Sequence, residues 1–127
     1  MQDKYTFEYA IIRVVPKVER EEFFNVGVIL FSKRKKFLGI KYKINPDKWK
    51  AFSPEIELDV LNDYLNAWKL ICDGKSSGGK IGKLEISDRF RWLAACRSTI
   101  IQSSKTHPGL CDNPEKELQD IFEKYVL

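Results

Sequence analysis

The stretch from Phe7 to Val15 restricts this chain more than any other. Strand side chains alternate between faces, so Phe7, Tyr9, Ile11, Arg13 and Val15 share one face and Ala10, Ile12 and Val14 the other. Both faces are largely apolar, which fits an interior strand rather than a solvated edge. Pro16 ends the strand because it cannot donate to a ladder. The charged connection Lys17 to Glu22 leads to a second strand, Phe23 to Phe31. The basic run Ser32 to Lys36 then turns into a third, Phe37 to Lys43. Short links between consecutive strands make this an antiparallel meander.

The middle of the chain reads as helical. Asn45 and Pro46 have the chemistry of an N-cap and a first helical residue, opening a short helix through Trp49 and Phe52. Between Glu57 and Cys72 the residues Val60, Leu61, Tyr64, Leu65, Trp68 and Ile71 recur at three- and four-residue spacing, and Gly74 supplies a C-terminal stop. Asp73 to Gly82 reads as a loop, Leu84-Glu85-Ile86 as a short strand, and Ser87 as the cap of a helix through Phe90, Trp92, Leu93 and Ala94. Ser98 to Gln102 reads as a further strand. Asn113 and Pro114 open a last helix with the stripe Leu118, Ile121, Phe122, Tyr125 and Val126. The expected fold is α+β: an antiparallel sheet built from the N-terminal three-strand meander plus a later strand, with helices packed mainly on one face. Residues 1–127 are read as a single domain.

Composition narrows the function classes. The 127 residues are 43% apolar, and 22 Lys and Arg against 18 Asp and Glu give a net charge of +4. That balance is too mild to imply nucleic acid by itself. No apolar run approaches the roughly 18 residues of a membrane span, and the N-terminus has no apolar signal core, so a cytoplasmic location without a membrane partner is expected. Cys72, Cys96 and Cys111 are odd in number and form no C-x-x-C pair. Neither a disulfide framework, a metal site nor a cofactor is expected.

Several motifs carry both a structural and a functional reading. Gly74 to Ile81 approaches a phosphate-cradling P-loop, but Ile81 stands where Ser or Thr would hold a metal ion, so a surface loop is preferred. Lys33 to Lys36 could touch phosphates, and equally solvates a hairpin tip. Arg13 shares a face with Phe7, Tyr9 and Ile11, so its guanidinium needs an anion: an internal acid such as Glu8, Glu21 or Glu22, or an external ligand. The densest polar stretch runs from Arg89 to Gly109, with three arginines, several hydroxyls, Gln102 and the only histidine, His107. Arginine forks, hydroxyls and an imidazole suit an anion or an acid–base site, whereas in the structural reading His107 caps a turn before Pro108. A Cys96–His107 nucleophile pair is the weakest of these readings.

Two groups of residues resemble one known family. Tyr9-Ala10-Ile11-Ile12-Arg13-Val14-Val15-Pro16 with Glu19 to Phe31 resembles the opening of the bacterial domain of unknown function 3037 family. Arg89-Phe90-Arg91-Trp92-Leu93, Arg97 to Ser104 and His107-Pro108-Gly109-Leu110 resemble its second signature. The resemblance implies no established activity. It implies genes often placed beside one for a HipA-like kinase-fold protein.

The resulting expectation is a non-enzymatic binding partner or regulatory subunit of a HipA-like Ser/Thr kinase in a two-gene module of toxin–antitoxin or defence type. The alternatives are a small metal-independent nucleic-acid or nucleotide-processing enzyme and a phosphate- or nucleic-acid-binding module. The candidate anion- or partner-binding residues are Arg13, Asn25, Arg97, Ser98, Thr99, Gln102 and His107, centred on Arg97-Ser98-Thr99 because donors are densest there.

Overall fold

In a computed structural model, which describes residues 4–15, 24–51, 57–74, 78–95 and 101–127, the doubly apolar strand is the middle of the sheet. Strand β1 (Tyr5–Val14) pairs antiparallel with β2 (Phe24–Ser32), and β2 with β3 (Phe37–Tyr42). The other edge of β1 carries two short strands in tandem, β4 (Ile101–Ser103) and β5 (His107–Cys111). The order is β3-β2-β1-β4, with β5 also on β1. Between β4 and β5 the pairing is continued by Ser104. Its N–H donates to the Ile11 carbonyl at 2.8 Å, and its Oγ accepts from the Ile11 N–H at 2.8 Å. A buried backbone donor at the gap is thereby satisfied by a hydroxyl.

The two faces of β1 enter two separate cores, as the alternation predicts. Ala10, Ile12 and Val14 pack with Trp49 of α1 (Pro46–Ala51), with Leu61, Leu65 and Trp68 of α2 (Leu58–Asp73), and with Phe90 and Leu93 of α4 (Ile86–Ala94). The one-turn helix α3 (Gly79–Gly82) adds Ile81 to this side. Phe7 and Ile11 face the other way, against Leu118, Ile121 and Phe122 of α5 (Pro114–Tyr125). The architecture is therefore α+β, with four of the five described helices on one face and α5 alone on the other.

Local chemistry sets the helix ends. Asn45 Oδ1 accepts from the Asp47 N–H at 3.0 Å, and Asn113 Oδ1 accepts from the N–H groups of Glu115 and Lys116 at 3.1 and 3.3 Å. Gly74 closes α2 in the left-handed region at φ 71°, its N–H donating to the Ile71 carbonyl. Four local expectations are corrected. Leu84-Glu85-Ile86 is not a strand: Leu84 lies in a bend, Glu85 is the N-cap of α4, and Ile86 is its first residue. Ser87 consequently sits inside the helix, and the loop expected over Asp73 to Gly82 contains the helical turn α3. The structural reading in which His107 caps a turn before Pro108 is also corrected, because His107 to Cys111 is a strand.

One irregularity decides which side chains share a face. Ile12 opposes Gly27 while Arg13 opposes Asn25, so Val26 is an extra residue in β2. This β-bulge shifts the alternation of β2 by one. Phe24 and Val26 reach the same core as Ile29 and Phe31, while Val28 and Leu30 face α5. A Cβ on Gly27 would lie 2.7 Å from the Lys41 carbonyl oxygen and 2.9 Å from Tyr42 Cβ. Those neighbours belong to the adjacent strand and cannot swing aside. We expect Gly27→Ala to destabilise the fold by about 1–3 kcal/mol, the scale of overpacking. A urea midpoint lowered at constant m-value would show it, and an unchanged midpoint would contradict the bulge geometry.

Candidate anion- or partner-binding site

Arg13 lies near the C-terminal end of β1 and has a register partner on either side, Asn25 of β2 and Gln102 of β4. Directly opposed residues of antiparallel strands project to the same face. A guanidinium and two amides therefore form one row across three strands, on the face that α5 covers further along. All three are half-buried. Asn25 Nδ2 donates to the backbone carbonyl of Tyr125 at 3.1 Å, at the C-terminal end of α5. Its Oδ1 is buried and has no hydrogen-bond partner among the described residues.

His107 belongs to a neighbouring group. It opposes Tyr9 across the β1–β5 ladder, with ring centroids 5.2 Å apart. Tyr9 and Arg13 are four residues apart on one strand, about 13 Å at the usual rise. His107 is thus on the same face as the row but not in it, and it is exposed. Tyr125 links the two groups, its ring 6.4 Å from that of Tyr9 and its carbonyl on Asn25. Burial, then hydrogen bonding with Tyr125 and the negative potential of Tyr125 and Glu117, raises the Tyr9 pKa above its ordinary 10.0. The phenol stays protonated at neutral pH. Tyr9 and Tyr125 were not singled out in the sequence as site residues. The signal for Tyr9 was its place on the Arg13 face, and the signal for Tyr125 was its position at the end of the last helix stripe.

Of the remaining candidates, Arg97, Ser98 and Thr99 lie outside the described residues, as does Cys96. The rest of the dense polar stretch is largely occupied by architecture. Arg91 forms a two-pronged ion pair with Glu8, at 2.7 and 3.1 Å. Glu8 is next to Phe7 and Tyr9, and so projects to the face opposite Arg13. Glu8 is therefore not the internal acid for Arg13, and Glu21 and Glu22 lie outside the described residues. Ser103 Oγ donates to the Leu93 carbonyl at 2.8 Å and ties β4 to the end of α4. Arg89 donates from Nη1 to the carbonyls of Ile71 and Cys72, at 2.9 and 2.7 Å, and from Nε to that of Leu84 at 3.1 Å. It caps the C-terminus of α2, where orphan carbonyls favour a cation.

The other motifs resolve similarly. Gly74 is a helix stop, and residues 75–77 of the P-loop-like run lie outside the described residues. Lys33 to Lys36 form an exposed turn, with Arg34 5.6 Å and Lys35 4.6 Å from the centre of the Tyr5 ring. Burial pushes the Cys72 thiol up to about 12, with Asp73 adding to the rise, and burial likewise raises Cys111. Neither thiol supplies a thiolate near neutral pH. Among the described residues no group of three or more His, Cys, Asp or Glu could hold a metal ion, and no helix is long and apolar enough to cross a membrane.

Arg89→Ala removes three donors from carbonyls at the α2–α4 junction. The expected loss is about 1.5–3 kcal/mol, the range for hydrogen bonds to a charged group. Arg89→Lys should recover little of it, because one ammonium does not reproduce the fork. Chemical denaturation of both variants checks this, and a wild-type midpoint for Arg89→Ala would contradict the capping role.

A guanidinium fork and amide N–H groups on one half-buried face are suited to the oxygens of a carboxylate or phosphate. No curated protein and no solved structure matched the chain. A family profile described as protein of unknown function (DUF3037) matches residues 9–126, a span that holds every strand from β2 to β5, all five helices and the whole Asn25–Arg13–Gln102 row. On that match, the chain belongs to the DUF3037 family.

Proposed function

We propose that this protein is a non-enzymatic binding subunit, and that the Asn25–Arg13–Gln102 row receives an anionic group of its partner. The observation that carries the reading is the register: three residues from three strands, far apart in sequence, are direct neighbours on one sheet face. An arginine flanked by two amides combines N–H donors with a single positive charge, one Asn25 donor already being held by the Tyr125 carbonyl. A carboxylate or phosphate with two free oxygens matches that set. The protonated Tyr9 phenol and the exposed imidazole of His107 border the same face. Arg97, Ser98 and Thr99 carry the same donor chemistry in the sequence, and we propose that they contribute to partner binding.

The partner we propose is a HipA-like Ser/Thr kinase encoded beside this gene in a bacterial two-gene module, with a phosphorylated or acidic segment docking on the row inside the cytoplasm. The resemblance of the Tyr9–Pro16 and Arg97–Ser104 stretches is the support for that assignment. The high thiol pKa values of Cys72 and Cys111 favour binding over nucleophilic chemistry at either residue.

Co-purification of the neighbouring kinase-fold protein with this chain tests the reading. A complex is expected at micromolar concentration, and Arg13→Lys should weaken it about ten- to a hundredfold, because the charge is kept while the fork is lost. Arg97→Ala should weaken it on the same scale with little change in thermal unfolding. No complex at micromolar concentration, or Arg13→Lys binding as well as wild type, would overturn the proposal.

A further inference from the structure

The sheet ends at β3, whose outer side pairs with no strand among the described residues. The direction of its free groups follows from the ladder. Lys43 N–H donates to the Val26 carbonyl at 2.7 Å, so residues 43, 41, 39 and 37 turn their backbone groups toward β2. Leu38, Ile40 and Tyr42 then turn theirs outward. Ile40 and Tyr42 border an open groove of about 450 Å³, lined also by Lys41, Lys69, Gln119 and Phe122. Lys69 belongs to α2 and Gln119 and Phe122 to α5, which lie on opposite faces of the sheet. The groove therefore straddles the edge itself, in the position of a further strand.

We propose that the β3 edge is a docking surface for an extended segment of another protein, with apolar and acidic residues in alternation. Strand addition to an open edge gives affinity through backbone hydrogen bonds and specificity through alternate side chains. The alternation follows from the two faces of β3. Leu38, Ile40 and Tyr42 pack toward the α2 core, so added residues on that side meet these apolar side chains, with Lys69, paired with Asp73, at the margin. Lys41 lies on the α5 side, hydrogen-bonded to Gln119, so a residue opposite it meets an ammonium. The charge of the hairpin selects acids further. Between Glu22 and Asp47 there is no Asp or Glu, while Lys33, Arg34, Lys35, Lys36, Lys41 and Lys43 all carry positive charge. The same cations oppose pairing of two copies through β3, since like charges would face one another across the new ladder. The surface lies on the outer edge of β3, separate from the Arg13 row, and does not depend on the proposed role of that row.

The probe is a capped heptapeptide of alternating valine and glutamate, titrated into the full chain at low salt and followed by backbone amide NMR. Shifts are expected at Leu38, Ile40 and Tyr42, with slowed hydrogen exchange at the same amides. Ile40→Pro removes one outward donor without removing a β2 bond, and Lys41→Glu reverses the facing charge. Each should weaken the peptide about tenfold, with circular dichroism reporting an intact fold. Lysine in place of glutamate in the peptide should abolish binding. The proposal is overturned by an absence of shifts at millimolar peptide, by equal binding of the lysine peptide, or by undiminished binding to both folded variants. It is also overturned if sedimentation shows a dimer of this chain and hydrogen exchange shows these amides already protected in it.

Discussion

β1 is hydrogen-bonded along both edges and apolar on both faces, and the other elements are placed by the need to complete it. A strand of this kind cannot be left half-covered. Ile12 and Val14 would each forfeit roughly 1.5–3 kcal/mol of burial without the α2 and α4 side, and Ile11 a similar amount without α5. Its backbone groups have equally little tolerance for a gap, because a buried unpaired N–H costs about 1–3 kcal/mol. The Ser104 hydroxyl on the Ile11 N–H shows that requirement being met where the ladder changes from β5 to β4. The two charged residues of β1 each stand beside polar groups of other elements. Glu8 meets the Arg91 fork near the sheet margin, and Arg13 stands in line with two amides near the strand end.

The parts of the fold that were legible in the sequence are those fixed by neighbours in the chain. Asn113 followed by Pro114 starts a helix because the Asn113 side chain accepts from N–H groups two and three residues on. Alternation from Phe7 to Val14 assigns faces because the geometry of a strand leaves no other option. β5 was not legible, since Pro108 and Gly109 both argue against a strand when read locally. Two tertiary facts reverse that reading. β5 pairs only with β1 among the described residues, so a proline without an N–H is tolerated there. The Phe7 ring covers Gly109 so closely that a Cβ would lie 2.5 Å from its Cζ, so the glycine is filled from across the strand.

The candidate site was legible as residue types but not as an arrangement. Donor density along the chain pointed to Arg89 through His107, yet density in sequence is not density in space. Arg89 spends its donors on the end of α2, Arg91 on Glu8, and Ser103 on the end of α4. Gln102 keeps its amide on the Arg13 face because it is the β4 residue between buried Ile101 and buried Ser103, projecting to the opposite face. What brings it to Arg13 is the pairing register, a long-range property that no local pattern reports.

Asn25 makes the same point more sharply, because its position depends on one inserted residue. Counting back from Phe31 and Ile29 by strict alternation puts residues 27 and 25 on the α2 side, together with Phe31. An amide there would enter the core of Trp68 and Phe90 and need partners that an apolar cluster does not offer. The Val26–Gly27 bulge opposes two residues to Ile12, turns both toward that core, and transfers Asn25 to the Arg13 face. Gly27 is what permits this, since the Lys41 carbonyl stands where its Cβ would be. The glycine thus does more than accommodate a neighbour: it sets which face of the sheet carries the amide, and hence whether a polar row exists at all.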